Sequence, residues 1–383
     1  MNSYQQRILD VENHFHQNDL SLGYRRLIDL ILDAGQLSFY HKILAYSDFF
    51  YDESSIDEFK KERGLQLIEE LKLLPDPTPK QGEQLVSTQN VEKAYANRNF
   101  KLHPISFQIH SREIVGLVGE NGNGKTTLLR IIAGELKPTD GSITYDFIQD
   151  APFTYEWKTR LVYVPQRIEV LYGTLLDNLQ FTLSAYNIKG EENWLLAQVM
   201  LARLGLWSYR KLEWKQLSSG YKMRFELVRT LLRRPELLLL DEPLANLDIM
   251  AQQIILEDLK FLSQSSSNPF GVILSSQQLY EVEKVSSKIL FLEEGKLRTQ
   301  QNTVEIEEEF TVIEIDAKNT KEELSTVLIA LNLIELKFNG GSYVAYLPKE
   351  ISMHQVLVQL GNSELEIQYI RDISRSSRRF FVN

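Results

Sequence analysis

Gly119-Glu120-Asn121-Gly122-Asn123-Gly124-Lys125-Thr126-Thr127 satisfies the spacing G-x-x-x-x-G-K-[ST], and its flanks give that spacing a context. An apolar run, Glu113 to Val118, leads in, and a helical pattern, Thr127 to Ala133, leads out. Strand, glycine-rich turn and helix in that order are the setting of a phosphate loop. Gly122 and Gly124 permit backbone N–H groups to turn inward around a β-phosphate, because glycine adopts conformations closed to other residues. The helix start adds the positive end of its dipole. At this spacing Lys125 is expected to span the β- and γ-phosphates and the Thr126 hydroxyl to coordinate Mg²⁺. A glycine-rich turn can also be purely structural; the lysine argues against that alternative. The predicted nucleotide-binding set is Gly119, Glu120, Asn121, Gly122, Asn123, Gly124, Lys125, Thr126 and Thr127.

Outward from the loop, short apolar runs alternate with helical patterns from about 86 to 300. Leu161 to Val164, Leu237 to Leu240 and Val272 to Leu274 read as strands without a polar face. Such strands separated by helices predict an α/β sheet covered on both sides, a P-loop NTPase core. Residues 1–84 read differently. Tyr24, Leu27, Ile28 and Ile31 recur at helical spacing, as do Leu67, Leu71 and Leu74, before Pro75-Asp76-Pro77-Thr78-Pro79 makes a stiff linker. The expectation is an N-terminal helical extension packed on the next domain, with a dedicated partner-binding module as the alternative. Beyond 303 the pattern is a strand (Thr311 to Ile315), a helix (Lys321 to Leu333), a hairpin from Glu335 to Leu347 turning at Asn339-Gly340-Gly341, a helix (Ser352 to Leu360) and a strand (Leu365 to Ile370). That β-α-β-β-α-β order predicts a small C-terminal α+β domain. The expected boundaries are 1–84, 85–302 and 303–383.

The 383 residues are 43% hydrophobic and 25% charged, a globular balance. Net charge is −10, from 42 basic and 52 acidic side chains, which speaks against a general nucleic-acid binder. The absence of cysteine excludes disulfides and thiol chemistry. The start is polar and no apolar run reaches about 18 residues, so a cytoplasmic protein is expected. His14 and His16 read as a solvated pair rather than a metal site, and the basic ending from Arg371 to Phe381 as a frayed tail, with approach to a membrane or partner as the alternative.

Two further segments follow the loop. Leu217-Ser218-Ser219-Gly220-Tyr221 precedes a helix, and Leu237-Leu238-Leu239-Leu240 ends in Asp241-Glu242-Pro243. Together with the phosphate loop, in this order, they resemble the ATP-binding cassette (ABC) superfamily over about 86 to 300. The resemblance implies that ATP and Mg²⁺ bind, that Asp241 and Gln166 hold the ion with Thr126, and that Glu242 polarises the attacking water. It implies that the Tyr95 ring stacks on adenine, a contact that tolerates any aromatic. It further implies that Ser218 and Gly220 clamp the γ-phosphate bound to an opposite subunit, and that Asp248, in Ala245-Asn246-Leu247-Asp248, organises the dimer seam. Ser219 stands where the family has glycine. Tyr221 stands where it has glutamine and is expected to alter contacts to ribose or across the dimer.

One departure bears on catalysis. After Val272-Ile273-Leu274, Gln277 occupies the position of the family's γ-phosphate-sensing histidine, and no histidine lies between His110 and His354. An amide donates a hydrogen bond but cannot become cationic. The expectation is slow hydrolysis, with Glu242 and Gln277 as the catalytic pair. Helical stretches Thr174 to Tyr186 and Trp194 to Leu204 match the family's helical subdomain, whose surface docks on a permease. A single loop without a long coiled coil implies an ATPase subunit that pairs with a second cassette, in a homo- or heterodimer, and drives a separate membrane permease. A regulatory cassette that binds ATP with little hydrolysis is one alternative, and a soluble mechanochemical ATPase acting on nucleic acid or the ribosome is another.

Overall fold

A computed structural model gives the fold and describes residues 4–77, 83–96, 100–148, 155–245, 247–302, 310–339 and 341–374. Four helices come first: α1 (Tyr4–His16), α2 (Leu20–Ala34), α3 (Leu37–Phe50) and α4 (Asp57–Lys72). The Asp19 carboxylate caps the start of α2 by accepting from the Leu22 N–H. Gly35, at φ 65°, ends it by donating to the Ile31 carbonyl. Tyr24, Leu27, Ile28 and Ile31 are all buried, as their spacing predicts.

The middle of the chain carries β1 (Gln84–Ala94), β2 (Lys101–His110), β3 (Ile114–Val118), α5 (Lys125–Ile132), β4 (Asp140–Tyr145), α6 (Tyr155–Arg160), β5 (Leu161–Val164), α7 (Leu175–Ala185), α8 (Gly190–Arg203), α9 (Ser219–Leu231), β6 (Leu237–Leu240), α10 (Ile249–Leu262), β7 (Gly271–Ser276), α11 (Leu279–Glu283), β8 (Lys288–Glu293) and β9 (Lys296–Asn302). The central sheet runs β5-β6-β7-β3-β8-β9 and is parallel except for the antiparallel edge β9. Strands β3, β6 and β7 are buried on both faces because alternate side chains enter different cores. Leu238 and Leu240 of β6 join the core shared with the helices, while Leu237 and Leu239 join the opposite one. The first core also takes in Ile28, Ile43 and Ile68, so the N-terminal helices are continuous with α7–α9 rather than tethered beside them.

A three-stranded antiparallel sheet, β2-β1-β4, covers the second face. Continuous apolar runs in the sequence point only to the doubly covered sheet. The alternation in β2, where Leu102, Ile105, Phe107 and Ile109 are buried, is the signal for this second one.

The C-terminal region holds β10 (Phe310–Ala317), α12 (Lys321–Ile329), β11 (Glu335–Asn339), β12 (Ser342–Pro348), α13 (Met353–Gly361) and β13 (Ile367–Asp372). This is the expected β-α-β-β-α-β order, folded as an antiparallel sheet β11-β12-β10-β13 with its own core of Ile313, Ile315, Leu324, Leu328 and Val356. Helix α12 stops at Ile329 rather than running to Leu333, and Asn332 at φ 59° takes the left-handed conformation that ends helices. Gly340 of the predicted turn, Thr78 and Pro79 of the linker and the tail from 375 lie outside the described residues. No helix among the described residues is long and apolar enough to cross a membrane.

Candidate nucleotide site

Every strand of the parallel set ends on the same edge of the sheet, and the site is built there. β3 delivers the chain into residues 119–124, which wrap into the start of α5. Gly119 lies against β8: a Cβ on it would sit 2.4 Å from the Leu292 carbonyl oxygen. Gly122 and Gly124 hold φ of 87° and 99°, which only glycine adopts without strain. Asn123 pins the loop, its Nδ2 donating to the Leu292 carbonyl and its Oδ1 accepting from the Glu294 N–H. Glu120 and Asn121 stay exposed at the rim. Lys125 is 4% exposed and turns its Nζ back into the loop, 2.7 Å from the Gly119 carbonyl and 3.2 Å from that of Glu120.

The carboxylate pair at the end of β6 faces this loop. Asp241 is buried. Its Oδ2 accepts from Thr126 Oγ1 at 2.8 Å and from Tyr163 OH at 3.2 Å, and its Oδ1 accepts from Ser275 Oγ at 2.8 Å. Burial and then the adjacent Asp241 charge push the Tyr163 phenol up, so it remains a hydrogen-bond donor. Glu242 is bent into the left-handed region, φ 47°, and its N–H donates to Ser275 Oγ at 2.8 Å. That turn brings three donors onto one carboxylate. Lys125 Nζ lies 3.2 Å from Oε1, Gln166 Nε2 3.0 Å from Oε2 and Gln277 Nε2 2.9 Å from Oε2. Sequence reasoning missed Tyr163 and Ser275. Both stand at strand ends flanking β6, so only the order β5-β6-β7 discloses them.

A cleft of about 550 Å³ opens beside this cluster, lined by Thr126, Tyr163, Gln166, Arg229 and Asp241 among others. The Thr126 hydroxyl and Asp241 carboxylate present oxygen donors, the type that a hard divalent cation selects. Such a cation completes its shell with phosphate oxygens and water.

The remaining predicted residues sit in two places. Tyr95 lies by α5, its hydroxyl 3.4 Å from Thr127 Oγ1 and its ring half-buried. Ser218 and Asp248 both cap helices: Ser218 Oγ accepts from the Tyr221 N–H, and Asp248 Oδ1 accepts from the Ala251 N–H. Gly220 packs beside α10, where a Cβ on it would stand 3.5 Å from Ala251 Cβ. Ser218 and Asp248 therefore form one exposed corner, and neither side chain bonds to the phosphate loop of its own chain. Tyr221 is turned inward. Its ring lies 4.4 Å from that of Tyr209, its hydroxyl bonds to the Tyr209 hydroxyl at 3.1 Å, and Arg224 rests over it. Tyr221 thus packs within its own chain against Tyr209.

The family model described as ABC transporter matches residues 102–245. The linearmycin resistance ATP-binding protein LnrL of Bacillus subtilis is 31% identical over 56% of this chain and 68% of its own length. The probable metal transport system ATP-binding protein of Chlamydia trachomatis is 31% identical over 54% of this chain and 86% of its own length. The chain belongs to the ABC transporter ATP-binding proteins. Among solved ABC structures, a dimeric post-hydrolysis cassette bound to ADP and Pi matches with a TM-score of 0.51 and 25% identity, covering 57% of this chain and 98% of the other. The ABC fold thus accounts for the middle of the molecule.

Proposed function

We propose that this ABC protein is the ATP-hydrolysing subunit of a transporter, closing as a dimer around two Mg-ATP to drive a separate membrane permease. The observation that carries the reading is the convergence of Lys125, Gln166 and Gln277 on the Glu242 carboxylate at the mouth of the phosphate loop. In this reading the amides of 119–126 and the Lys125 ammonium hold the β- and γ-phosphates. Glu242 orients a water in line with the γ-phosphorus and takes its proton, while the bond to the ADP oxygen breaks. Thr126, Asp241 and Gln166 hold Mg²⁺, which when bound neutralises developing phosphate charge. Tyr95 stacks on the base. Ser218 and Gly220 complete the partner's site, and Asp248 shapes the seam. The exposure of Ser218 and Asp248, with Ile249 and Met250 at 71% and 65%, supports a surface made to be covered.

The permease is expected to dock on the helical subdomain, where Val170, Tyr172, Phe181 and Trp194 remain exposed. That contact would hold the protein at the inner face of the cell membrane. In this reading residues 1–84 and 303–383 are accessory to the cassette at 85–302. Phosphate release from Glu242→Gln tests the assignment. The expected result is near-complete loss of turnover with nucleotide binding retained; unchanged release removes Glu242 from the chemistry.

A slow cassette is the variant of this reading that one observation favours. Gln277 is bonded to the catalytic carboxylate as a neutral amide, so it adds no positive charge at the γ-phosphate.

A further inference from the structure

Arg203 ends α8 and is wholly buried, an unusual place for a guanidinium. Its Nε donates to Asp29 of α2 at 2.5 Å and its Nη1 to Asp258 of α10 at 2.8 Å. Two neighbours on α2 reinforce the joint. Arg25 reaches the same Asp258 oxygen at 3.2 Å, and Arg26 lies 3.5 Å from Asp29 Oδ2 with its guanidinium 3.5 Å above the Phe261 ring. Burial opposes the charge on Arg203, but Asp258 and Asp29 outweigh it and hold the side chain protonated. A second joint lies alongside. Arg7 of α1 bonds Asp33 of α2 at 2.5 Å and Ser266 Oγ at 2.9 Å, and Asp33 Oδ1 accepts from the Ser265 and Ser267 hydroxyls. The N-terminal helices therefore grip α8, α10 and the segment after α10 together.

Both arms of the Arg203 joint lead to the exposed corner. From α8 the chain runs through residues 204–217 to Ser218 and α9, and α10 begins at the Asp248 cap. Those two starts touch where Gly220 meets Ala251 and Leu247. Asp258 stands roughly 15 Å along α10 from Asp248 at the helical rise, a rigid lever. Apolar contacts alone would bind the N-terminal helices to this surface. A buried, two-armed arginine adds a fixed geometry, since its planar fork accepts one arrangement of carboxylates.

We infer that Arg203 is a positioning residue through which the N-terminal helices hold Ser218, Gly220 and Asp248 in the arrangement that a second subunit must meet. The inference rests on the dimer reading above. It assigns the N-terminal extension a part in assembling the composite site, distinct from binding nucleotide at the chain's own loop.

The test uses the full chain carrying Glu242→Gln, with and without Asp29→Asn or Arg203→Lys. Asp29→Asn is near-isosteric and removes one carboxylate; Arg203→Lys is shorter, keeping the charge but losing the fork. Two quantities are measured below the melting point: Mg-ADP affinity by calorimetry, and the Mg-ATP concentration that half-dimerises the protein by light scattering. The expected result is Mg-ADP affinity unchanged and a dimerisation midpoint raised roughly threefold to thirtyfold by Asp29→Asn, the range over which such couplings act. Arg203→Lys shifts it in the same direction. An unmoved midpoint in both folded variants overturns the inference, as does a parallel loss of Mg-ADP binding, which would mark a general structural role. If the chain with native Asp29 does not dimerise on Mg-ATP at all, the dimer reading itself falls and takes the inference with it.

Discussion

Glu242 follows a strand of four buried leucines and holds a positive φ that a non-glycine residue avoids. A conformation of that kind costs on the order of 1 kcal/mol or more and persists only where surrounding bonds impose it. Ser275 imposes it here, accepting from the Glu242 N–H while donating to Asp241. The bend aims the carboxylate at Lys125 rather than along the strand. Gln277 meets the same carboxylate from the end of β7. Replacing it with histidine supplies a group that can become cationic, a gain of roughly 1–2 kcal/mol in the transition state. Gln277→His is therefore expected to raise steady-state phosphate release about five- to thirtyfold; an unchanged or lower rate would show that Gln277 does not limit turnover. The motif positions were legible because each follows an apolar run or a glycine at fixed spacing. Ser275 and Tyr163 were not, since their partner Asp241 lies on a neighbouring strand whose place in the sheet no local pattern states.

Helices α9 and α10 start side by side, each capped by a residue proposed above to lie at a subunit seam. Capping and the proposed seam contact call on the same oxygen atoms of Ser218 and Asp248. Ser218→Ala removes the acceptor for the Tyr221 N–H and should cost about 1 kcal/mol of stability. Thermal unfolding will read that loss, and ATP-dependent dimerisation should weaken with it while Mg-ADP binding stays as it was. A mutant that dimerises normally would place the seam elsewhere. The segment was recognisable from Ser218 and Gly220, yet the inward turn of Tyr221 was not. That turn depends on Tyr209, held at the far end of a connection between helices. Strand β2 gives the converse lesson: its alternation is local and visible, and it marks a sheet with one wet face beside the doubly covered one.

The molecule carries one core common to the N-terminal helices and the helical subdomain, and a separate one beneath α12 and α13. Separate cores predict separable stability. Removing residues 303–383 is expected to leave Mg-ADP affinity within about twofold, measured by calorimetry on the shortened chain. A collapse of binding would mean that the C-terminal sheet supports the cassette. The helical periodicity of the first 77 residues and the β-α-β-β-α-β order of the last were readable from spacing and turn chemistry. How the first helices attach was not, because Asp29, Arg203 and Asp258 lie far apart in the chain and only folding brings them together.

In the proposed function the loop at 119–126 and the Lys125 side chain enclose a nucleoside triphosphate. Equilibrium binding of Mg-ATP to Lys125→Ala, checked to be folded, tests it most directly. The account predicts an affinity loss of roughly tenfold or more, since a charge-assisted contact to phosphate is removed. Affinity equal to that of the parent chain would contradict it.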